Sequence, residues 1–354
     1  MVKKLFVLLL IGSGINFSFS PVQILSGEEK KQSVPFSDKV KASVERALAV
    51  LAGTQNVNGS WTCKVGYKLN EDYLGEESDN VGVTSLAGLA FMANGSLPGR
   101  GKYGPPVARA LDFVLGASRE SDGYITKHGT RMYEHAFATL FLAEIYGMSP
   151  RDDVKQKLKK SIDLIVQSQN SEGGWRYQPA QIDADVSVTV TVLQALRAAR
   201  NVGISVPKQT IDRAVQYIKQ CAQPNGGFSY QLRSFTRQSF PLTAAGVTAL
   251  MSAGEYDTPE VQRGLQFLNQ QMPPLPAGNS FDYHYFYGHY YASQSMYQSG
   301  GKNWDNYSRT VYQQILGKQL EDGHWADDVG PAYATAMACI ILQIDNEYLP
   351  IFQR

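Results

Sequence analysis

The stretch Gln169–Trp175 reads Gln-Asn-Ser-Glu-Gly-Gly-Trp, and the same frame recurs at Gln55–Trp61 and Gln319–Trp325. In each copy the glutamine, a glycine and the tryptophan stand at positions i, i+4 and i+6. A Gly-aromatic core without the full frame also occurs at Asp122–Tyr124, Gly226–Phe228 and, in an eroded form, Gly278–Phe281. The aromatic positions lie roughly fifty residues apart, a spacing typical of helical repeat architectures.

Each of these turns separates two helical patterns of different character. The segment before the turn is amphipathic, as in Val154–Gln169, where Ile162 and Ile165 mark a buried face and Lys159 an exposed one. The segment after the turn is apolar nearly all round, as in Val81–Met92, which is typical of a helix packed between neighbours. We therefore predict an all-α fold, an (α/α)6 toroid in which six outer helices surround six inner helices and a central funnel.

The pattern also gives approximate helix bounds. The predicted outer helices are Val40–Gln55, Val107–Ser118, Val154–Gln169, Ile211–Gln220, Val261–Gln271 and Tyr307–Gln319. The predicted inner helices are Val81–Met92, Tyr133–Tyr146, Asp185–Arg200, Leu242–Ala253, His284–Tyr297 and Ala332–Ile344. Because no window shows sustained alternation of apolar and polar residues, little strand is predicted.

The N-terminal region differs from the repeats. Lys3 and Lys4 precede the short apolar run Leu5–Ile11, a pattern typical of a secretory signal peptide. The run is too short to span a bilayer, which needs about 20 residues. We predict a signal peptide over residues 1–20, a flexible linker over 21–37 and the toroid over 38–354, in a protein that is exported to the periplasm or secreted.

Charge and cysteine content exclude several classes of protein. The net charge is +1 and the two signs are interspersed, which indicates neither a nucleic-acid partner nor membrane insertion. The three cysteines lie far apart without a Cys-x-x-Cys spacing, so a zinc finger and a thioredoxin-like site are excluded. No cofactor and no metal are predicted, and a protein partner is left open.

The repeated Gln-Gly-Trp turns resemble those of the terpenoid cyclase and protein prenyltransferase superfamily, whose toroids carry such "QW" repeats. The likeness extends over the mature chain and is strongest to single-toroid, signal-bearing bacterial proteins with prenyltransferase or squalene-cyclase repeats. Tyr283–Gly301, Gly323–Trp325 and Tyr348–Pro350 are similar to the C-terminal half of those proteins. The resemblance implies an α/α toroid and a hydrophobic or isoprenoid small molecule as its partner, but a fold does not by itself imply chemistry.

An acidic motif is the part of this resemblance that concerns catalysis. Squalene-type cyclases protonate an alkene with an Asp-x-Asp-Asp-Thr motif at the start of an inner helix, and this chain has Asp183-Ala184-Asp185-Val186-Ser187 at such a place. The resemblance implies that Asp185 is the proton donor and that Asp183 assists it. Val186 replaces the last acid of the motif, so ordinary squalene-hopene cyclisation is not implied. Both acids could instead cap the helix and interact with its dipole.

Two other chemistries of the superfamily fit the chain less well. Protein prenyltransferases hold zinc with an Asp-x-Cys pair and a histidine from another inner helix. The corresponding pair here is Asp282 and His284, but Ala332–Ile344 contains no histidine, so a zinc site is not predicted. Complement-type thioester domains carry a Gly-Cys-Gly-Glu-Gln motif, which this chain lacks.

Several residues at or near the starts of the inner helices are not explained by the repeat. Because these starts converge on one mouth of the toroid, polar and aromatic side chains there are candidates for a ligand site. The catalytic candidates are Asp185 and Asp183, and the ligand-binding candidates are Tyr133, His135, His284, His289, Tyr290, Asp328 and Tyr333.

Three functions are compatible with the sequence. The first is an exported repeat protein that handles an isoprenoid in its central cavity, as an enzyme or as a binding protein. The second is a non-catalytic scaffold or binding protein. The third is a carbohydrate-active α/α toroid, a lyase or glycosidase, since glycosidases need two carboxylates about 5–10 Å apart and Asp185 with Asp328 or Glu134 could supply them.

Overall fold

A computed structural model describes residues 38–65, 76–127, 131–232, 238–273 and 284–353 of the chain. The predicted signal peptide and linker lie outside these residues, as do the eroded sixth turn and Asp282. The described residues all belong to one compact unit. None of the described helices is both long enough and apolar enough to cross a membrane.

The described residues form twelve α-helices arranged as two concentric rings, which confirms the predicted (α/α)6 toroid. The outer helices are α1 (Asp38–Gly53), α3 (Gly104–Gly116), α5 (Asp152–Ser168), α7 (Lys208–Cys221), α9 (Pro259–Gln270) and α11 (Gly301–Leu316). The inner helices are α2 (Val81–Met92), α4 (Met132–Met148), α6 (Val186–Asn201), α8 (Phe240–Ser252), α10 (Tyr285–Ser299) and α12 (Pro331–Leu342). Each inner helix packs on the next, and α12 packs back on α2 to close the ring. The first outer helix, α1, packs mainly on α12.

Burial follows the two sequence patterns. All residues of the inner helix α2 are buried, because it has neighbours on every side. The outer helix α5 buries one stripe at helical spacing, which includes Val154, Leu158, Ile162 and Ile165, and its opposite face is exposed. The hydrophobic core is therefore the space between the rings together with the contacts between adjacent inner helices.

The Gln-Gly-Trp turns join the two rings through a repeated set of hydrogen bonds. The indole Nε1 of Trp175 donates to the carbonyl of Ile165 over 2.8 Å, and its backbone N–H donates to the hydroxyl of Thr189 over 3.1 Å. The amide of Gln169 donates to the carbonyls of Gly173 (2.7 Å) and Thr210 (2.9 Å). A glutamine therefore ties its own turn to the start of the next outer helix, because its amide donates to one carbonyl in each.

The same contacts recur in the other two complete copies. Trp61 and Trp325 donate their indole N–H groups to Leu51 and Ile315, and Gln55 and Gln319 bind the carbonyls of their own glycines. The glycine is required in this turn. Gly173 has φ +103°, and a Cβ atom there would lie 2.4 Å from the carbonyl oxygen of Arg213 on the next outer helix.

A short hairpin is the main departure from the predicted all-helical pattern. Strands β1 (Thr62–Val65) and β2 (Glu76–Asp79) pair antiparallel between α1 and α2, with Thr62 opposite Asp79. Each strand has four residues, which is too short for an alternating pattern to be recognised in the sequence. The Lys64 N–H donates to the carbonyl of Val329, so the hairpin lies against the loop that precedes α12.

The two ends of the inner ring are built differently. At the end where the inner helices finish, the C-terminal residues Leu349, Ile351 and Phe352 are buried, and Arg197 donates to the carbonyl of Gln353 over 3.0 Å. We call this the closed end. The inner helices begin at the opposite end, which we call the mouth.

The predicted funnel is bridged by side chains at mid-depth. Phe137 on α4 and Tyr290 on α10 stand on opposite inner helices, and their ring centroids are 5.9 Å apart. Gln194 donates to Gln294, and a 2.7 Å hydrogen bond joins the hydroxyls of Thr191 and Tyr291. Side chains therefore meet across the axis at this level, and the accessible part of the interior lies nearer the mouth.

Candidate functional site

Asp185 is the residue that caps the inner helix α6. Its backbone is extended (φ −139°, ψ 157°), and Oδ1 accepts hydrogen bonds from the Val188 N–H (2.9 Å) and the Ser187 hydroxyl (2.6 Å). Asn80 and Ser239 occupy the same position before α2 and α8 and accept the equivalent backbone hydrogen bond. Capping is therefore a role that the repeat assigns to this position.

The second oxygen of Asp185 has partners outside its own helix. Oδ2 accepts a 3.1 Å hydrogen bond from the Tyr230 hydroxyl and lies 3.6 Å from Nε of Arg176. The side chain is completely buried. Burial raises the pKa of Asp185, because a charge loses its hydration there, whereas the hydrogen bonds and Arg176 act in the opposite direction.

Asp183 lies beside this group but in a more exposed position. Its carboxylate pairs with the guanidinium of Arg176, and its side chain is 45% exposed. Arg176 therefore stands between a half-exposed carboxylate and the buried carboxyl of Asp185. Both predicted acids therefore lie beside one cation, Arg176, which was not among the predicted site residues.

Tyrosines surround Asp185 at the mouth. The hydroxyl of Tyr133 is hydrogen-bonded to that of Ser187, and the Tyr287 hydroxyl donates to the Ser187 carbonyl over 3.2 Å. The hydroxyls of Tyr177 and Tyr230 are 2.6 Å apart. We call the group formed by Asp185 and these four tyrosines the tyrosine recess.

Two tyrosines of the tyrosine recess are partly accessible. Tyr133 and Tyr287 are only half-buried, and desolvation raises the pKa of each well above 10, so both hydroxyls stay protonated at pH 7. Tyr333 is close enough to Tyr287 for its charge to raise the pKa of Tyr287 further, so this predicted residue also borders the recess.

Two arginines flank the rim of the recess. The guanidinium carbon of Arg131 lies 4.6 Å from the ring centroid of Tyr177, and that of Arg176 lies 5.2 Å from it. These distances are within the range of cation–π contacts. The rim therefore combines aromatic faces with positive charge, beside the buried carboxyl of Asp185.

His135 links the inner helix α4 to the preceding turn and to the outer helix α5. Its Nδ1 accepts from the Ile125 N–H over 3.0 Å, and its Nε2 is 3.1 Å from the Ser161 carbonyl. Burial lowers the pKa of His135 to about 4, so the ring is neutral at pH 7. In the other turns a threonine accepts the equivalent backbone N–H, as Thr189 does from Trp175. The structure thus places His135 in the threonine position of the repeat, with both ring nitrogens engaged.

His289 also faces the outer ring. Its Nδ1 is 2.8 Å from the Tyr307 hydroxyl, and its ring packs on Tyr285 and Phe240 with centroid distances of 4.2 and 5.1 Å. Within the described residues its Nε2 makes no hydrogen bond, and burial lowers the pKa to about 3. The structure does not bring His289 into the tyrosine recess.

The remaining predicted residues are spread over different depths. Tyr290 lies below the recess in the bridge with Phe137, and its hydroxyl has no hydrogen-bond partner in the described part of the chain. His284 is exposed at the start of α10, and Asp328 is exposed in the loop before α12. Beside Asp328, burial and the neighbouring carboxylate raise the pKa of Asp327 to about 6.

Three important residues of the mouth were missed in the sequence: Arg176, Tyr177 and Tyr230. A signal for the tyrosines existed, because Tyr177 follows Trp175 by two residues and Tyr230 follows Phe228 by two. The same offset from Trp325 gives Asp327. Positions two residues after the aromatic residue of a turn therefore point to the mouth.

Across the described ranges, no three His, Cys, Asp or Glu side chains come together as metal ligands.

Comparisons with known proteins agree with this architecture. The profile of the squalene-hopene cyclase C-terminal domain family matches residues 138–280, a segment that includes Asp183 and Asp185. No curated protein sequence matches the chain significantly.

Terpene cyclases and proteins named for sugar substrates are among the solved structures of similar fold. A variant of the type II terpene cyclase MstE from Scytonema, in complex with its substrate geranylgeranyl dihydroxybenzoate, has a TM-score of 0.61 at 13% identity and covers 90% of this chain and 99% of that chain. The α-1,6-mannanase from Salegentibacter sp. HEL1_6 has a TM-score of 0.61 at 8% identity, with coverages of 86% and 98%. Cellobiose 2-epimerase from Spirochaeta thermophila DSM 6192 has a TM-score of 0.65 at 12% identity, with coverages of 87% and 96%.

These findings confirm the resemblance to the terpenoid cyclase and protein prenyltransferase superfamily, in fold and in the sequence of residues 138–280. At such low identities, the structural likeness describes the toroid and leaves the chemistry to the residues of the mouth.

Proposed function

We propose that this protein binds a small molecule in the tyrosine recess and that Asp185 positions the side chains that contact the ligand. The observation that carries this proposal is the second oxygen of Asp185, which accepts from Tyr230 and lies near Arg176 rather than serving only the helix cap. A cap needs one acceptor oxygen, and Asn80 and Ser239 provide it elsewhere without a charge. The extra partners of Asp185 fix the hydroxyl network of the mouth.

The ligand class that we propose is an isoprenoid. Tyr133, Tyr177 and Tyr287 offer half-buried aromatic faces, which suit an apolar chain and stabilise positive charge through the ring faces. The terpene cyclase MstE, which shares the fold, is described with a geranylgeranyl substrate. The bridge between Phe137 and Tyr290 limits how deep a ligand can reach without a movement of side chains.

Binding is favoured over cyclisation by the environment of Asp185. In squalene-type cyclases the donor acid must reach the alkene, whereas Asp185 is fully buried and its two carboxyl oxygens accept three hydrogen bonds from the protein. Val186 also stands where the motif has its last acid. The catalytic role of Asp185 and Asp183 stays a prediction, and a positioning role for Asp185 accounts for its contacts.

A carbohydrate ligand is the second candidate. Its support is the density of hydroxyl and carboxyl groups at the mouth, where Tyr133, Tyr177, Tyr230 and Asp183 could hydrogen-bond to sugar hydroxyls. The similar toroids of the α-1,6-mannanase and the cellobiose 2-epimerase belong to proteins named for sugar substrates. A scaffold without any small ligand is the third outcome that an experiment must separate.

A binding experiment with matched variants separates these functions. Farnesol and mannotriose are titrated calorimetrically into the mature chain and into Asp185→Asn and Tyr287→Phe, with Ser239→Asn as the control cap substitution. We expect farnesol to bind, Asp185→Asn to weaken it about tenfold or more, and Tyr287→Phe to change it less than about threefold, since the ring face is kept. A sugar site would instead lose about tenfold on Tyr287→Phe, because a polar partner is removed.

The same experiment can overturn the proposal. Binding of neither ligand to a folded protein would favour the scaffold. Equal loss in Asp185→Asn and Ser239→Asn would assign the effect to helix capping. Conversion of a bound isoprenoid to a cyclic product, detected by mass spectrometry and lost in Asp185→Asn, would restore the catalytic interpretation.

We also propose that the protein is exported. The support is the sequence alone, in which Lys3 and Lys4 precede the apolar run Leu5–Ile11. N-terminal sequencing of the protein from fractionated cells would test this. A processed N-terminus near residue 20 in the periplasmic or secreted fraction is expected, and an intact N-terminus on cytosolic protein would contradict export.

A further inference from the structure

A depression lies at the closed end of the toroid, away from the tyrosine recess. It is a cavity of about 310 Å³ between the C-terminal ends of α6 and α8 and the first turn of α7. This volume is at the lower end of the range for small-molecule sites. Leu193, Ile211 and Ala253 provide apolar lining, while Arg197, Arg200 and Tyr256 provide polar groups.

The charges of the cavity are unbalanced. Arg197 and Arg200 line it, and no acidic residue does. Arg200 is exposed and forms no ion pair among the described residues. In Arg197, one terminal nitrogen (Nη2) donates to the Gln353 carbonyl, and the other (Nη1) is buried and makes no hydrogen bond within the described part of the chain. Because Nη1 is inaccessible, Arg197 lines the cavity with the other atoms of its partly exposed side chain and adds its positive charge there.

The nearby acids do not neutralise these arginines. Glu255, which is adjacent in sequence to the lining residue Tyr256, is engaged with Lys219 over 2.8 Å. The charge of Arg197 acts on Glu144, but burial raises the pKa of Glu144 to about 8, so Glu144 is mostly uncharged at pH 7. A basic residue in the last turn of a helix interacts favourably with the helix dipole, which explains a positive charge at Arg200. The dipole does not explain why two arginines, Arg197 and Arg200, line the same cavity.

We propose that this cavity binds a small organic anion with an apolar tail. The carboxylate or phosphate group lies at Arg197 and Arg200, where guanidinium groups recognise planar or tetrahedral oxyanions through paired N–H donors. The apolar part packs on Leu193 and Ile211. The hydroxyl of Ser252 and the amide of Asn201 lie in the lining and add neutral donors beside the anion. This site is independent of the tyrosine recess and does not rest on the function proposed for it.

Octanoate is the probe for this proposal, and neutral octanol is its uncharged counterpart. Calorimetric titration of the full mature chain is expected to show saturable binding of octanoate with a stoichiometry of one, at least about tenfold tighter than octanol. Arg200→Gln, an exposed substitution that leaves the fold intact, is expected to weaken octanoate about tenfold. Arg197→Gln should weaken octanoate binding at least as much. Because Arg197 also donates to the Gln353 carbonyl, a thermal unfolding curve of this variant checks that it is folded.

Lys208→Gln is the matched control. Lys208 begins α7 close to the cavity, pairs with Asp212 and does not line it, so its removal takes away the same charge without touching the site. Lys208→Gln should change octanoate affinity less than about twofold. Inorganic phosphate should compete with octanoate, because both need the arginines. The proposal is overturned by octanol binding as tightly as octanoate, by equal losses in Lys208→Gln and Arg200→Gln, or by no saturable binding to the folded wild type.

Discussion

Two buried carboxyl groups lie at opposite ends of the inner ring and have different surroundings. Asp185 caps the start of α6 at the mouth and accepts hydrogen bonds from Ser187, Val188 and Tyr230. Glu144 lies near the end of α4 at the closed end and accepts one long hydrogen bond, of 3.4 Å, from the Ile351 N–H. Burial raises the pKa of both groups, and it takes Glu144 to about 8.

The difference follows from the direction of the helices. A helix start presents unpaired N–H groups and the positive end of the dipole, so an acid there finds donors and favourable charge. A helix end presents carbonyl groups, so an acid there has few donors and stays protonated unless a cation compensates it. The mouth is therefore the end of this toroid where a buried carboxyl group finds hydrogen-bond donors, whereas a carboxyl group at the closed end finds few.

The largest effect is expected from the turn that supports the mouth. The carbonyl of Trp175 accepts the backbone N–H of Asp185, and its indole fills the joint between the rings. Trp175→Ala should lower the free energy of unfolding by about 3–5 kcal/mol, the range for truncation of a buried aromatic side chain. Urea denaturation measures it. A loss below about 1 kcal/mol would mean that the joint does not depend on this residue.

The closed end should show a distinct pH dependence. The folded pKa of Glu144, about 8, is above its value of 4.5 in the unfolded chain. The stability associated with this group is therefore complete below about pH 4.5 and is lost as the pH rises to about 8. Glu144→Gln should remove a slope of up to about 1.4 kcal/mol per pH unit, so the variant should exceed the wild type in stability at pH 8.

Unfolding curves at pH 5, 6.5 and 8 measure this slope. In the wild type, the free energy of unfolding should fall by about 2–4 kcal/mol from pH 5 to pH 8. Glu321→Gln, at an exposed acid, is the matched control. If Glu144→Gln and the wild type lost stability in parallel as the pH rose, Glu144 would be ionised in the folded protein and the contrast between the ends would fail.

A smaller effect on stability is expected at the mouth. Asp185→Asn keeps an acceptor oxygen for Val188, and asparagine fills the same position before α2. Asparagine and aspartate are similar as helix caps, so the cost should be about 1 kcal/mol, arising from the lost interactions with Tyr230 and Arg176. Thermal unfolding of Asp185→Asn, measured together with the binding titration, tests whether the variant binds the ligand more weakly while it remains folded. A loss above about 3 kcal/mol would make Asp185 mainly a structural residue.

The outer surface gives the smallest expected effect. Lys159 is exposed on α5, in the same repeat as Trp175. Lys159→Ala should change the free energy of unfolding by less than about 0.5 kcal/mol, because it removes no buried contact. Urea denaturation on the same preparation as Trp175→Ala checks this, and a comparable loss in both variants would contradict the assignment of inner and outer faces.

The helices were predictable because their signal is local. The bounds of α2 coincide with the predicted Val81–Met92, and those of α7 extend the predicted Ile211–Gln220 by three residues at the start and one at the end. Apolar spacing and Gly-aromatic turns are properties of neighbouring residues, so they can be read in sequence order. The strand pair Thr62–Val65 and Glu76–Asp79 was missed, since two strands of four residues are specified by their pairing and by the contact of Lys64 with Val329.

The candidate site was predictable only in part. Asp183, Asp185 and Tyr133 were identified from their place at helix starts, and the structure groups them. His135 was assigned to the mouth from the same argument, but a position on a helix gives the level of a side chain and not its direction. The neighbouring turn supplies the Ile125 N–H, and this donor draws the ring of His135 toward the outer layer.

The sequence by itself determined the number of helix pairs, their inner or outer place and the resemblance in fold, because each follows from a repeated local pattern. Only the tertiary structure decided which side chains share the mouth, that Phe137 meets Tyr290 across the axis, and that Arg176 stands between Asp183 and Asp185. These relations join residues from different repeats or fix the path of an irregular loop. They depend on ring closure and side-chain direction, which no local pattern encodes.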